Sequence, residues 1–372
     1  MLAGEAEDVF ADIAASLEQG TARRLYRVSD KPDMMRSPVP RYDLLRLDQY
    51  TTMPVQFSRG CPFQCEFCDI ITIYGRRPRM KTTAQVIEEL NALRQLGWRN
   101  EVFIVDDNFI GNYREALHLA HELAVWQDRN DRPFPFFTEA SIDLAYRPEL
   151  LAAMVEANFM YVFIGIETPS GAALRECRKF QNLRSDNVQQ IRVIQEAGLW
   201  VLGGFIVGFD SDDETIFTQQ LEFIEKTAIA WAMAGVLQAP PTTALYDRMK
   251  KEGRLIENSQ PTSNFSAPNF RTVLPLPVLL RGLSTLLTGL YEPEAFFKRA
   301  FRSLEAWHPR GQRPPNYPVS YQLRVFFASL FVIYSRQVAD QLEETCRALG
   351  EEECSSSNKT RSSPQFRPAL PI

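Results

Sequence analysis

The chain has 372 residues, which corresponds to about two domains at roughly 150 residues each. Hydrophobic residues make up 45% and charged residues 23%, so this is not a collagen, a wholly disordered chain or a small disulfide-stapled protein. The formal net charge of −5 disfavours a protein that attracts nucleic acid through general phosphate contacts, so we predict no nucleic-acid partner.

The beginning of the chain carries no recognisable secretory signal, because its first residues are acidic and lack an apolar run. We therefore expect a cytoplasmic protein, in which a tight cluster of cysteines binds a metal or acts in catalysis. Apolar residues at helical spacing predict one amphipathic helix over residues 1–20, followed by a proline-rich linker. A lone helix has no partner strands, so residues 1–48 are interpreted as the tail end of a larger unit plus a linker.

From residue 49 to residue 255, β-rich runs alternate with helices that carry start and stop signals. The predicted strands are residues 53–58, 102–106, 134–139, 161–166, 201–207 and 231–237. Thr82 with Gln85 predicts a capping box, Pro148 predicts a helix start, and Asp212 or Asp213 is predicted to cap the fifth helix. Six alternating strands predict a parallel sheet, and roughly 200 residues are too few for an eight-unit barrel of ~250. The predicted fold is α/β, a partial (β/α)6 TIM-like barrel.

Residues 256–345 are predicted to form a C-terminal α-helical extension, with helices over residues 279–290 and 321–342. Residues 346–372 are polar and are predicted to be a disordered tail. The longest apolar run in the extension, residues 325–334, is too short to span a bilayer. Its apolar side chains either pack against the barrel or border a greasy substrate or a membrane surface, so peripheral membrane contact stays open: Phe326, Phe327, Phe331 and Val332.

Three cysteines, Cys61, Cys65 and Cys68, lie within eight residues directly after the first predicted strand. Barrel enzymes place their active sites at this carboxyl end of the strands. A structural zinc site and a ferredoxin cluster both need four protein ligands, and neither a fourth cysteine nor a histidine lies nearby in the sequence. Three cysteines on a four-iron cluster leave one iron open to a substrate or cofactor; a zinc knob or buried thiols are the alternative. The remaining cysteines are predicted to have no cofactor role: Cys177, Cys346 and Cys354.

The segment RGCPFQCEFCD, residues 59–69, carries the spacing C-x3-C-x2-C after a strand and before a helix, and it resembles the radical S-adenosylmethionine (SAM) superfamily. In that family three cysteines bind a 4Fe-4S cluster, whose open iron is chelated by the amino and carboxylate groups of SAM. An electron from the reduced cluster breaks the sulfonium bond, and the resulting 5′-deoxyadenosyl radical abstracts hydrogen from the substrate. The resemblance implies that Cys61, Cys65 and Cys68 are the cluster ligands and that Phe67 lies against the SAM adenine.

The same resemblance assigns SAM contacts to residues at the carboxyl ends of the later strands. The candidates are Asp106, Asp107, Asn108, Glu139, Glu167, Gly204 and Gly208. The first three lie where the family's second-strand motif, often Gly-Gly-Glu, contacts the SAM amino group. Glu167 is a candidate for the SAM ribose or amino group, and the two glycines border the adenine, where the lack of a Cβ permits close approach. The alternative roles are structural: helix caps, surface turns and barrel packing.

Over about residues 1–300 the sequence resembles the cobalamin-binding subgroup of that superfamily, which includes the hopanoid C-2 methylases and the bacteriochlorophyllide methyltransferases. The resembling stretches are QFSRGCPFQCEFCDI, VFIVDDNFIG, FFTEASIDLA, VFIGIETP, KFQN, GRLIENSQP and LYEPEAFF. The resemblance implies that residues 1–48 are a linker and the remnant of the Rossmann-like domain with which proteins of this subgroup begin. Those proteins carry an N-terminal Rossmann-like domain that holds cobalamin, usually through D-x-H-x-x-G, a motif that this sequence lacks. The resemblance therefore implies either that a cobalamin domain is missing from the start of the chain or that the chemistry needs no cobalamin. A reducing partner such as a ferredoxin or flavodoxin is expected.

Three functions compete at this point. The first is radical SAM chemistry at an unactivated carbon, with methylation of a lipid or tetrapyrrole-like small molecule when a cobalamin domain is present. The second is a radical oxidation or rearrangement without cobalamin. The third is an inactive fragment or metal-binding module, which predicts zinc in place of iron and sulfide.

Overall fold

The computed structural model of the protein describes residues 1–257, 259, 266–308, 311, 312 and 323. Its strands in chain order are β1 (Leu2–Ala3), β2 (Tyr26–Arg27), β3 (Thr52–Val55), β4 (Ser58–Arg59), β5 (Arg79–Met80), β6 (Glu101–Ile104), β7 (Phe136–Ala140), β8 (Phe159–Glu167), β9 (Trp200–Val207) and β10 (Ala232–Val236). Its α-helices are α1 (Phe10–Glu18), α2 (Ile70–Ile73), α3 (Thr83–Gln95), α4 (Tyr113–Arg129), α5 (Pro148–Glu156), α6 (Gly171–Glu176), α7 (Asn187–Glu196), α8 (Ile216–Thr227), α9 (Ala244–Lys251), α10 (Leu276–Tyr291) and α11 (Pro293–Ala306).

Six strands form one parallel sheet in the order β10-β9-β8-β7-β6-β3. Neighbouring strands of the sheet are joined through helices. Each connection is therefore a crossover that returns the chain to the same end of the sheet, so that the next strand runs parallel. β3 and β10 are the two edges of this sheet and do not pair with each other, so the barrel is open between them. The predicted partial TIM-like barrel of six units is confirmed.

The two faces of the sheet differ in burial. Residues such as Val102, Ile104 and Val162 are fully buried and belong to the core that includes the apolar faces of the surrounding helices. Alternate residues point to the opposite, inner face and are only half-buried, because side chains alternate along a strand. Paired register positions on that face carry Phe103, Phe137, Tyr161 and Trp200, which we call the aromatic row.

Local signals account for several helix ends. The Thr82–Gln85 capping box is confirmed, since the N–H of each of the two residues donates to the side chain of the other. Pro148 occupies the first turn of α5, as predicted. The predicted cap of α8 is wrong: α8 begins after Thr215, and the Asp212 carboxylate instead accepts the Gly208 and Phe209 N–H groups within the preceding loop.

Two predictions near the amino end of the barrel are also wrong in extent. The helix predicted over residues 1–20 is limited to α1, because Leu2–Ala3 pair in parallel with Tyr26–Arg27 and leave the helical conformation. The first sheet strand ends at Val55 rather than at residue 58, because Ser58–Arg59 turn away and pair antiparallel with Arg79–Met80. The interpretation of residues 1–48 as a domain remnant stays a prediction.

The extension after the barrel begins with two helices that pack on it. α10 contains the helix predicted over residues 279–290 and buries Leu279, Leu283 and Leu286. α11 was not predicted; its start is marked by Pro293 and by Glu292, whose carboxylate accepts the Ala295 N–H at 2.8 Å. No helix within the described residues is long and apolar enough to cross a membrane. The helix predicted over residues 321–342 (apart from Leu323), the predicted tail and the four apolar residues at 326–332 lie outside the described residues.

Candidate functional site

Residues 60–69, the cysteine loop, run from β4 into α2. The loop is tied at several points by backbone hydrogen bonds: Cys61 N–H donates to Gly75 O at 3.3 Å, and Glu66 N–H donates to Cys177 O at 2.9 Å. Gly60 has a φ of +102°, and a Cβ there would lie 2.8 Å from Gly75 O, so the turn into the loop requires glycine. The loop is therefore held in a defined conformation beside the carboxyl ends of the strands.

The three cysteine thiols are partly buried. Burial raises the pKa of Cys61 and of Cys65, and it raises the pKa of Cys68 to about 12. Protonated thiols are therefore favoured in the protein alone, and thiolates at these positions need a compensating positive group such as a metal. Two side-chain amides face the sulfurs: Asn108 Nδ2 lies 3.8 Å from Cys61 Sγ, and Gln181 Nε2 lies 3.8 Å from Cys65 Sγ.

The donor set fits an iron–sulfur cluster better than a mononuclear metal. Three thiols with two amide donors around them are the surroundings expected of an iron–sulfur cluster, whereas structural zinc needs a fourth protein ligand. Within the described part of the chain, no three His, Cys, Asp or Glu side chains share one metal-sized position. The cluster assignment therefore depends on the chemistry and spacing of the three cysteines.

Residues 106–108 connect the end of β6 to the cysteine loop. The Asp106 carboxylate accepts hydrogen bonds from Phe57 N–H (2.8 Å), Ser58 N–H (2.9 Å) and Ser58 Oγ (2.6 Å). Burial raises the pKa of Asp106 to about 7, while its bonds to Ser58 and Phe57 oppose that rise. Asp107 accepts the Gly60 N–H at 2.8 Å. Of the three predicted SAM contacts here, these two carboxylates hold the turn that precedes the cysteines.

Asn108 bridges two strand ends. Its Oδ1 accepts the Ser141 N–H at 3.1 Å, while its Nδ2 faces Ser141 Oγ at 3.2 Å and the Cys61 sulfur. The side chain is buried, with an exposed fraction of 3%. Asn108 is thus positioned by β7 and points its amide toward the cysteine loop.

Glu167 ends β8 in a left-handed backbone conformation with a φ of +65°. Non-glycine residues rarely adopt this conformation, and the register between β8 and β9 shifts just before it. The Glu167 carboxylate forms a buried ion pair with Lys179 Nζ. Burial alone would lower the pKa of Lys179, but the negative charge of Glu167 gives a net pKa above its usual value. Lys179 was missed by the sequence reasoning, although it opens the KFQN stretch.

Gly165 makes room for this pair. A Cβ at Gly165 would lie 2.6 Å from Glu167 Oε1 and 2.7 Å from Lys179 Nζ. Gly204 pairs with Gly165 in register and faces the Phe163 ring, which a Cβ would approach to 2.8 Å. The close approach at Gly204 is therefore to a side chain of β8.

The other predicted site residues lie on, or next to, the strands whose carboxyl ends face the cysteine loop. Gly208, with a φ of +101°, begins the loop after β9, and the next residue, Phe209, contacts Phe67 with ring centroids 6.4 Å apart. Phe67 is therefore close to the strand end that carries Gly208. Glu139 lies on the inner face, at the register position that pairs with Phe163.

An ion-pair network joins the cysteine loop to α9. Arg248 on α9 pairs with buried Glu66 of the loop at 2.8 Å and with Asp210 at 2.6 Å, and it contacts Glu176 at 3.4 Å. Arg254 also pairs with Asp210, at 2.6 Å. The network crosses four segments that are distant in sequence, so sequence patterns gave no signal for it.

The N-terminal segment packs against β4 and β5, next to the cysteine loop. Glu5 is buried and pairs with Arg59 and Arg79, each at 2.7 Å. A cavity of about 860 Å³ lies between residues 3–7 and 27–31 on one side and Arg59 and Tyr74 on the other. The first part of the chain therefore borders the same region as the cysteines.

Comparisons with known proteins agree with this arrangement. Residues 55–221, which include the cysteine loop and strands β6 to β9, match the family model of the Radical SAM superfamily. The chain carries a radical SAM domain. Residues 243–337 match a second family model, a domain of unknown function (DUF4070), so the radical SAM domain is followed by a further unit that begins just before α9.

Curated relatives extend the similarity beyond the radical SAM domain. The chain is 45% identical over 303 residues to the uncharacterized methyltransferase sll1242 of Synechocystis sp., covering 81% of this chain and 56% of that protein. It is 37% identical over 300 residues to the hopanoid C-2 methylase of Rhodopseudomonas palustris, covering 80% of this chain and 56% of that protein. The chain thus spans about half the length of the relatives that it matches.

Solved structures support the fold. The cobalamin-dependent S-adenosylmethionine radical enzyme OxsB with aqua-cobalamin bound matches with a TM-score of 0.60 at 14% identity, covering 93% of this chain and 64% of that chain. The radical SAM methyltransferase TsrM from Kitasatospora setae, with cobalamin and a [4Fe-4S] cluster bound, matches with a TM-score of 0.57 at 14% identity, covering 68% of this chain and 55% of that chain. At this identity the likeness concerns the barrel fold alone.

The Glu139 carboxyl lies on the inner face of the sheet, and its shifted pKa can be tested through the pH dependence of protein stability. Burial, with a contribution from nearby Asp107, raises the pKa of Glu139 to about 7. The unfolded chain releases this proton near pH ~4.3, so stability falls as pH rises from there through 7. We expect Glu139→Gln to be more stable than the parent above pH 7 by on the order of 2 kcal/mol, with no gain below about pH 4.

Urea unfolding at pH 8 and pH 4 measures this difference. Glu156→Gln, at an exposed position of α5, is the matched control and is expected to behave like the parent at both values. A stability gain for Glu139→Gln that is the same at both pH values would contradict the expectation.

Proposed function

We propose that this chain is the catalytic part of a radical SAM enzyme that methylates an unactivated carbon of an apolar small molecule. The observation that carries the proposal is the cysteine loop, with its three partly buried thiols at the carboxyl ends of six parallel strands. The 37% identity to a hopanoid C-2 methylase and the 45% identity to a methyltransferase of unknown substrate support the reaction class.

Cys61, Cys65 and Cys68 are the proposed ligands of a 4Fe-4S cluster. When reduced, such a cluster supplies the electron that cleaves SAM and so generates the 5′-deoxyadenosyl radical. The chain's own contribution is to desolvate the thiols, to direct the Asn108 and Gln181 amides at two of them, and to fix the loop through Asp107 and Glu66.

Glu167 is the proposed contact to the SAM ribose or amino group. Its support is the strained backbone, which turns the carboxylate back over Gly165, and the buried ion pair of that carboxylate with Lys179. Asn108 is retained as a proposed SAM contact, since it lies beside Cys61. For Asp106 and Asp107 we propose a supporting role, because the Asp106 carboxylate is bonded to Phe57 and Ser58 just before the cysteine loop and one Asp107 oxygen accepts the Gly60 N–H.

Phe67, Gly204, Gly208 and Glu139 remain proposed SAM-binding residues. Phe67 and the start of the Gly208 loop are brought together by the contact between Phe67 and Phe209. Glu139 on β7 and Gly204 on β9 lie on the inner face, on either side of β8. An adenine would therefore be bordered by one aromatic ring and by backbone that lacks a Cβ.

The aromatic row favours an apolar substrate. Phe103 and Phe137 stack with ring centroids 4.1 Å apart, and Tyr161 and Trp200 stack at 5.9 Å. These rings are on the inner face, away from the helices, and they stay half-exposed. The row lies toward the amino ends of its strands, since Trp200 is the first residue of β9, so it would border a substrate that reaches into the barrel from the carboxyl ends. Such a surface suits a polycyclic lipid or a tetrapyrrole-like ring better than a small polar substrate.

Cobalamin would be supplied by the part of the enzyme that corresponds to the remaining length of the relatives. The N-terminal segment is joined through Glu5 to Arg59, which directly precedes the cysteine loop, so a preceding cobalamin domain would lie near the site. A ferredoxin or flavodoxin is the proposed electron donor.

The test is SAM cleavage by anaerobically reconstituted protein. We expect about four iron and four sulfide per chain, as a 4Fe-4S cluster requires, and dithionite-dependent formation of 5′-deoxyadenosine. Zinc in place of iron and sulfide, or an intact cluster with no cleavage, would overturn the proposal. Product formation that is unaffected by added cobalamin, measured on the longest natural chain, would favour oxidation or rearrangement over methylation.

A further inference from the structure

The segment after α6 carries side chains to which the sequence resemblance gave no role. Residues 179–182 follow Cys177, whose carbonyl oxygen already accepts the Glu66 N–H of the cysteine loop. Asn182 Nδ2 donates to Gly165 O at 3.1 Å and to Ile166 O at 3.0 Å, which fixes the segment to the end of β8. The segment is therefore attached both to the cysteine loop and to the strand that presents Glu167.

Gln181 lies between these two attachments and is almost fully buried, with an exposed fraction of 3%. Its Nε2 is 3.8 Å from Cys65 Sγ, within hydrogen-bonding range for sulfur. Its neighbours on either side are fixed by other partners, Lys179 by Glu167 and Asn182 by β8. The amide therefore has little freedom to turn away from the sulfur.

We propose that Gln181 is a positioning residue that raises the reduction potential of the 4Fe-4S cluster by donating a hydrogen bond to the Cys65 sulfur. The inference rests on the function proposed above. One-electron reduction by an external low-potential donor breaks no bond and adds one negative charge, which the cysteine sulfurs share. An N–H donor stabilises that charge more in the reduced state than in the oxidised state, and burial strengthens the effect.

Gln181 is a more specific probe of this effect than Lys179 or Asn108, two other side chains near the cysteine sulfurs. Lys179 also faces Cys65, but its charge is balanced by Glu167, so its removal would change a buried ion pair as well. Asn108 donates toward Cys61, but its carbonyl oxygen also holds the Ser141 N–H. Gln181 can be replaced without breaking either of those contacts.

The experiment compares cluster potentials by dithionite titration monitored by electron paramagnetic resonance. In Gln181→Met, which keeps the side-chain length and lacks the N–H, we expect the equilibrium constant for reduction to fall about tenfold, which corresponds to about 59 mV more negative. In Gln181→Glu, which has the same shape and adds a negative charge, we expect a larger fall in the same direction.

The matched control is Gln195→Met, since Gln195 is an equally buried glutamine whose Nε2 donates to Thr227 O at 3.1 Å, away from the cysteines. Its potential is expected to equal that of the parent. An unchanged potential in both Gln181 variants would overturn the inference and leave the proposed function intact. Failure of both Gln181 variants to assemble a cluster that Gln195→Met still assembles would also overturn it, in favour of a role in assembly. Absence of a cluster from the parent protein would overturn the proposed function itself.

Discussion

Replacement of any one of Cys61, Cys65 and Cys68 by alanine is expected to remove the iron and sulfide from the protein and to lower 5′-deoxyadenosine formation by more than about 100-fold. The physical reason is that a cluster held by only three protein ligands has none in reserve. The thiols are also partly buried in surroundings that favour their protonated form, so two remaining sulfurs cannot hold iron by themselves. Iron and sulfide analysis and the cleavage assay measure the two effects.

Cys177→Ala is the matched control for the cysteine variants. Cys177 is buried next to the loop; its backbone carbonyl accepts the Glu66 N–H, and its thiol donates to Leu174 O of α6 at 3.7 Å. We expect the alanine variant to keep the parent's iron content and cleavage rate per folded chain. Equal iron in the parent and in a Cys61→Ala variant would exclude Cys61 as a ligand, and loss of iron in Cys177→Ala would show that loop packing alone accounts for metal binding.

Breaking the Glu167–Lys179 pair is expected to give the second large effect. Lys179→Met leaves the Glu167 carboxylate buried without its partner, which we expect to lower the free energy of unfolding by about 3–5 kcal/mol. Combining it with Glu167→Gln removes the unpaired charge, so the double variant should recover most of that loss. SAM affinity should not recover, because the proposed SAM contact is still missing. Urea unfolding and equilibrium binding of SAM to the reconstituted protein measure the two quantities separately.

A second buried ion pair supplies the control for this cycle. Lys81 and Glu89 pair near the start of α3, away from the end of β8. Lys81→Met is expected to lose comparable stability while the folded protein binds SAM as the parent does. If the Lys81 and Lys179 variants lose SAM affinity to the same extent, the Glu167–Lys179 pair is only a stability element and its proposed binding role is wrong.

Several parts of the fold were predictable because their causes are local. The capping box at Thr82 depends on residues three apart, and the start of α5 at Pro148 depends on the fixed φ and missing N–H of proline. The alternation of strands and helices predicts a parallel sheet, because each crossover helix returns the chain to the same end of the sheet before the next strand starts. The end of the first strand was predicted wrongly because distant partners intervene there: Asp106 binds Ser58, and β5 pairs with β4.

Residue types and spacing were enough to predict the three-cysteine loop, its place after a strand and the six-unit barrel. They are enough for the loop, since three thiols within one short loop can bind one cluster in any fold that presents them. The chemistry expected at the loop came from the family resemblance. The contacts around the loop are seen only in the folded chain: Lys179 pairs with Glu167, the Gln181 amide faces Cys65, and Arg248 pairs with Glu66. These partners are 12, 116 and 182 residues apart. No local pattern encodes such pairs, because they form only when the strand ends bring separate loops together in a buried, low-dielectric region, where each charge or sulfur needs a partner.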